Sequence, residues 1–82
     1  MINDLGYRYL SKNRFSAAIN LFKFNVKYYP HSFNVYDSLG EAYMKMGNKE
    51  LAMVNYKISL DINPRNENAK YMLGKLRSNA TE

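Results

Sequence analysis

The sequence predicts an all-α fold of stacked helical repeats, and three observations carry that expectation. Sliding the 82-residue chain against itself by 34 places small, aromatic and aliphatic residues on their own kind. Within each unit the apolar residues recur at the i, i+3, i+4, i+7 spacing of one helix face. Each unit closes on a proline, Pro30 or Pro64, which cannot continue a helical hydrogen-bond ladder.

The self-match pairs Leu5 with Leu39, Gly6 with Gly40, Tyr9 with Tyr43, Ala18 with Ala52 and Phe22 with Tyr56. It continues through Lys23 and Lys57, Val26 and Leu60, and Tyr28 and Ile62. A 34-residue period in this order is the mark of a helical array.

The first unit, residues 1–32, opens with "INDLGYRYLSKNR" and turns at Asn13, which tolerates positive φ. Its second helix carries Ala18 and Phe22 and ends at Pro30. The second unit, residues 33–66, starts after Ser32, a good N-cap residue. Tyr36, Leu39, Gly40 and Tyr43 then share one face. "MGNKE" breaks the pattern: Gly47 can take the left-handed conformation that ends a helix, and Asn48 can cap the next. In that next helix Ala52, Met53, Tyr56, Leu60 and Ile62 are expected inward. Residues 67–78, "ENAKYMLGKLRS", restart the pattern, with Leu73 and Gly74 lying 34 residues after Leu39 and Gly40; residues 79–82 form a tail.

An interior glycine costs a helix about 1 kcal/mol relative to alanine, so Gly6 and Gly40 need a reason. The expected one is close approach of two antiparallel helices, with Ala18 and Ala52 as the small residues opposite. Tyr9, Tyr43, Phe22 and Tyr56 would fill the space around them.

Composition bounds the function. At 46% hydrophobic and 23% charged the chain has the make-up of a soluble globular domain, and no apolar run nears the ~18 residues of a membrane span. The N-terminus lacks the basic-then-apolar pattern of a secretory signal. There is no cysteine, hence no disulfide or thiolate chemistry. Of the net +5 charge, most falls in residues 1–32, where Arg8, Lys12, Arg14, Lys23 and Lys27 face Asp4 alone. These cations are spread singly, which reads as a solvated helix face rather than a nucleic-acid surface.

No catalytic constellation is legible. His31, the one histidine, stands beside Ser32 in the loop between units, but adjacent loop residues rarely align as nucleophile and base and no orienting acid is near. Asp37 and Glu41 are four apart, the spacing of a carboxylate pair, yet Glu41 also precedes Lys45 by four, the favourable order for an exposed ion pair. No metal, cofactor or phosphate-binding loop is expected. Tyr7, Phe24 and Tyr29 exceed what one repeat's core requires, so some are expected on a contact surface against a preceding domain or a second copy of the chain.

The order Leu-Gly, Tyr three residues after Gly, Gly or Asn at the turn, Ala, aromatic and terminal Pro resembles the tetratricopeptide repeat. The large residue four positions before glycine is Tyr36 in the second unit and Ile2 in the first. Ser59 departs from the family's pattern, standing where a small apolar residue is usual. The resemblance covers almost the whole chain and implies an α-α superhelix of five helices: two helix-turn-helix repeats plus a C-terminal capping helix. Asn66 would cap that last helix, Ala69, Met72, Leu73 and Leu76 would face the stack, and Lys70, Lys75 and Arg77 would face water.

The resemblance also implies a function. Tetratricopeptide arrays bind extended peptides or partner proteins along the concave surface lined by each pair's first helix. Here that groove would present Asn3, Tyr7 and Leu10, then Asn34, Asp37, Ser38, Glu41 and Lys45, then Tyr71 and Lys75. A subclass grips a C-terminal carboxylate, but the positions of its clamp hold Asn3, Tyr7, Ser38, Asn68 and Met72, so that clamp is not expected. The run from Phe22 to Tyr56 is similar to the C-terminal repeat tail of some bacterial serine hydrolases of the β-lactamase-like or esterase type. Two roles follow: a non-catalytic interaction module, or a structural appendage that packs on or dimerises a larger polypeptide carrying the activity. The late start of the first helix and a repeat number below about three favour the second.

Overall fold

The computed structural model describes residues 3–80, with side chains for 3–78. Five α-helices account for most of them: α1 Asn3–Ser11, α2 Phe15–Tyr28, α3 Phe33–Met46, α4 Lys49–Ile62 and α5 Glu67–Ala80. The described residues contain no strand. Ile2 and the last two tail residues lie outside them, while residues 79 and 80, expected in the tail, continue α5. Each helix packs chiefly on its neighbours in sequence, α1 on α2, α2 on α3, α3 on α4 and α4 on α5, within 32 × 26 × 16 Å. No helix among the described residues is long and apolar enough to cross a membrane.

The internal repeat extends to the backbone. At the turn from α1 to α2, Asn13 takes φ 59° and the Arg14 N–H donates back to the Tyr9 carbonyl at 2.9 Å. At the turn from α3 to α4, Gly47 takes φ 94° and the Asn48 N–H donates to the Tyr43 carbonyl at 2.9 Å. Both are left-handed closures that satisfy carbonyls a helix end leaves free. Asn48 then caps α4 by accepting the Leu51 N–H at 3.1 Å. Asn66 does the same for α5 through the Ala69 N–H at 3.2 Å. Ser32 stands at the N-cap of α3 in extended conformation, but its side chain makes no cap bond.

One continuous core runs through the stack. Leu10, Ala18, Ile19 and Phe22 come from α1 and α2; Leu39, Ala42, Tyr43, Ala52 and Tyr56 come from α3 and α4. Ala69, Met72, Leu73 and Leu76 of α5 complete it. Tyr9 is half-buried against the same cluster. Gly6 and Gly40 are buried, and what lies opposite each is an aromatic ring rather than an alanine. A Cβ on Gly6 would fall 2.7 Å from Phe22 Cζ and nearer still to Cε1; one on Gly40 would fall 3.1 Å from three Tyr56 ring atoms. Glycine is there because the ring from the second helix lies flush against the first helix's backbone.

Three expectations are corrected. Leu5, expected in the packing set, is 44% exposed, whereas its repeat partner Leu39 is 5% exposed. The difference is position in the stack: α2 packs on α3, and among the described residues no helix precedes α1. Ile62, expected inward, is exposed on the last turn of α4, where the chain leaves the helix for Pro64. Leu10, expected in the groove, is buried in the core and offers nothing to a ligand.

Candidate functional site

The first helices of the two units are brought together by their side chains. The Tyr7 hydroxyl on α1 lies 3.0 Å from Ser38 Oγ and 3.3 Å from Glu41 Oε1 on α3, so its one proton has two acceptors. Glu41 in turn lies 3.8 Å from Lys45 Nζ, one turn further along α3. The Tyr7 ring tilts against Phe22, with centroids 5.2 Å apart, which anchors the phenol from below. The result is a polar row, Ser38, Tyr7, Glu41, Lys45, built from helix positions that the 34-residue period makes equivalent or adjacent.

Burial raises the Tyr7 pKa above its ordinary value; the Ser38 bond opposes this and the Glu41 charge adds to it. Tyr56, whose ring underlies Gly40, is also raised, first by burial and then by the Glu41 and Asp37 charges. Both phenols are therefore neutral at physiological pH. Tyr7 can act as a hydrogen-bond donor or acceptor but not as a base. The ion pair Glu41–Lys45 is solvent-facing and worth little to stability, so its groups are free to re-pair with a ligand.

Not every expected groove residue is available. Asp37 is held by Asn66, whose Nδ2 donates to Oδ1 at 3.0 Å and Oδ2 at 2.9 Å, and the same amide reaches Ser59 Oγ at 2.8 Å. Asn3 accepts from Asn25 Nδ2 at 2.9 Å. Ser38 is buried, so it positions Tyr7 rather than facing solvent. Asn34, Lys45, Tyr71 and Lys75 are exposed. No described distance joins the two α5 residues to the row on α1 and α3.

Sequence reasoning missed the buried polar residues Asn25 and Asn55 and noted Ser59 without giving it a partner. A signal linking two of them was present, because Asn25 and Ser59 are one period apart, as are Asn3 and Asp37. In the first unit Asn3 and Asn25 bond directly; in the second, Asp37 and Ser59 are joined through Asn66. Ser59 Oγ also donates to the Phe33 carbonyl at 3.0 Å. The Ser59 hydroxyl thus ties the last turns of α4 to the start of α3.

His31 is an exposed turn residue. Among the described residues no group of three His, Cys, Asp or Glu side chains is placed to hold a metal ion. The chain matches no protein-family model, and no curated protein matches it.

Proposed function

We propose that this chain is a tetratricopeptide-like array acting as a non-catalytic interaction module, which binds a peptide or partner protein along the face shared by α1 and α3. The observation that carries the reading is the Tyr7–Glu41 contact between residues 34 apart. Equivalent helices of successive units present their polar side chains side by side, and such a row can hold a chain laid across it. Packing chiefly between helices adjacent in sequence and the two glycine–aromatic seats support the repeat architecture.

The row offers one carboxylate paired only at the surface, one phenol and one cation. It suits a segment that brings a basic side chain to Glu41 and backbone groups to Tyr7 and Lys45. A peptide-array screen of the chain, with Glu41→Lys as the control, tests this. The expected result is a set of peptides rich in Lys or Arg that the native chain retains and the control loses. Equal retention by both proteins, or none by either, overturns it.

A further inference from the structure

We propose that the solvent face of α2's C-terminal half is a second docking surface, and that its occupant is an acidic helical segment of another protein. This surface is independent of the row on α1 and α3.

Phe24 and Tyr28 stand one turn apart on α2, 51% and 57% exposed, with ring centroids 4.6 Å apart and planes tilted by 45°. Tyr29, the next residue, is exposed too. Lys23 and Lys27 run beside them one turn apart, and Lys27 Nζ lies 5.7 Å from the Tyr28 ring centroid. An apolar pair at i, i+4 flanked by a basic pair at the same spacing is one half of a helix–helix seam.

The scaffold does not require this strip. One period on, α4 has Ile58 and Ile62 in place of the rings and Asp61 in place of Lys27, while Lys57 matches Lys23. α4 mixes Lys49 and Lys57 with Glu50 and Asp61; α2 has two lysines and no acid. Among the described residues the ion pairs lie on α3 and α5, and none involves Arg8, Lys12, Arg14, Lys23 or Lys27. The first unit therefore shows an apolar ridge set in uncompensated positive charge, a combination that surfaces without a partner tend to avoid.

Charge chooses the occupant. A second copy would set Lys23 and Lys27 against the same lysines, which like-charge repulsion opposes. For stacked bases the rings are poorly placed: they pack on one another and Lys27 lies over Tyr28, whereas base stacking needs open ring faces. A helix with aliphatic or aromatic anchors one turn apart, flanked by Glu or Asp, meets both features at once.

The probe is a short fluorescein-labelled helical peptide with leucines at i, i+4 flanked by glutamates, read by anisotropy against the full chain. Its twin with lysines for glutamates, a single-stranded RNA and phosphatidylserine vesicles are the competitors. Saturable binding of the glutamate peptide alone is expected. It should weaken at least about tenfold in Lys23→Glu plus Lys27→Glu and again in Phe24→Ser plus Tyr28→Ser. Absence of binding, equal binding of the lysine twin, tighter binding of RNA or vesicles, or indifference to either α2 double variant overturns it. All four α2 side chains are exposed, and circular dichroism of each variant checks that the fold is intact.

Discussion

Gly40 and Tyr56 meet backbone to ring face: a Cβ added to Gly40 would sit 3.1 Å from three atoms of the buried Tyr56 ring. Gly6 and Phe22 repeat the relation more tightly, at 2.7 Å from Cζ and less from Cε1. Gly74, one period beyond Gly40, has nothing within 4 Å. Three glycines in one sequence context thus face three different environments, and alanine at each reads them out. In every case alanine gains about 1 kcal/mol of helix propensity. Against that, overpacking at Gly6 costs about 1–3 kcal/mol, because the fully buried Phe22 ring has nowhere to move.

The expected thermal midpoints therefore run Gly74→Ala above the native chain, Gly40→Ala near it, and Gly6→Ala lowest. For a domain of this size 1 kcal/mol is worth about 4–8 °C, well within reach of a melting curve. A Gly6→Ala protein as stable as Gly74→Ala would sink the account of both seats.

Leu5 and Leu39 form a second matched pair, identical in the repeat and opposite in burial. Leu39→Ala is expected to cost about 2–5 kcal/mol by leaving a cavity in the core. Leu5→Ala should stay within about 0.5 kcal/mol, as surface changes do. Denaturant midpoints of the two variants decide this. Equal losses would mean that Leu5 is covered in solution.

These pairs also show how far the sequence could be read. Periodicity, glycines, prolines and caps are local signals, and helices, turns and most of the core follow from them. Whether a repeat position is buried depends on its place in the stack, so Leu5 and Leu39 look alike until neighbours are counted. Partner choice is just as non-local. Alanine and aromatic were both legible opposite glycine, but only side-chain reach decides that the ring takes the seat. The row Ser38–Tyr7–Glu41 needed α1 and α3 side by side, and Leu10, three residues from Tyr7 and adjacent to it on α1, is the one of the two that the core takes in. The Asn66 bridge was hidden because a capping residue reads as complete once its cap is assigned.

Ser32 and Asn66 are again one period apart, and one of them acts where the other only stands. Asn66→Ala removes a cap worth about 1 kcal/mol and leaves Asp37 and the buried Ser59 without their amide donor, a further 1–2 kcal/mol or so. Ser32→Ala removes no side-chain cap bond and should change stability by less than about 0.5 kcal/mol. Urea unfolding with unchanged m-value measures both. Similar losses at the two positions would show that neither the Asn66 cap nor its bridge to Asp37 and Ser59 contributes.

Alkaline pH should weaken the fold through Tyr56. Burial, with the Glu41 and Asp37 charges behind it, raises the phenol above its ordinary value, so the folded chain keeps a proton that the unfolded chain releases. Below the unfolded pKa of about 10 both states are protonated and this contribution to stability is complete. Above it the unfolded state binds fewer protons, so unfolding becomes easier by about 1.4 kcal/mol per pH unit until the folded phenol also ionises. Tyr7, raised in the same direction by burial first and also by the Glu41 charge, adds to the same loss. Urea unfolding at steps above pH 10 should therefore show stability falling more steeply in the native chain than in Tyr56→Phe or Tyr7→Phe. Parallel slopes for the native chain and Tyr56→Phe would mean that the ring under Gly40 is wet, and that the seat the two helices share is looser than the packing describes.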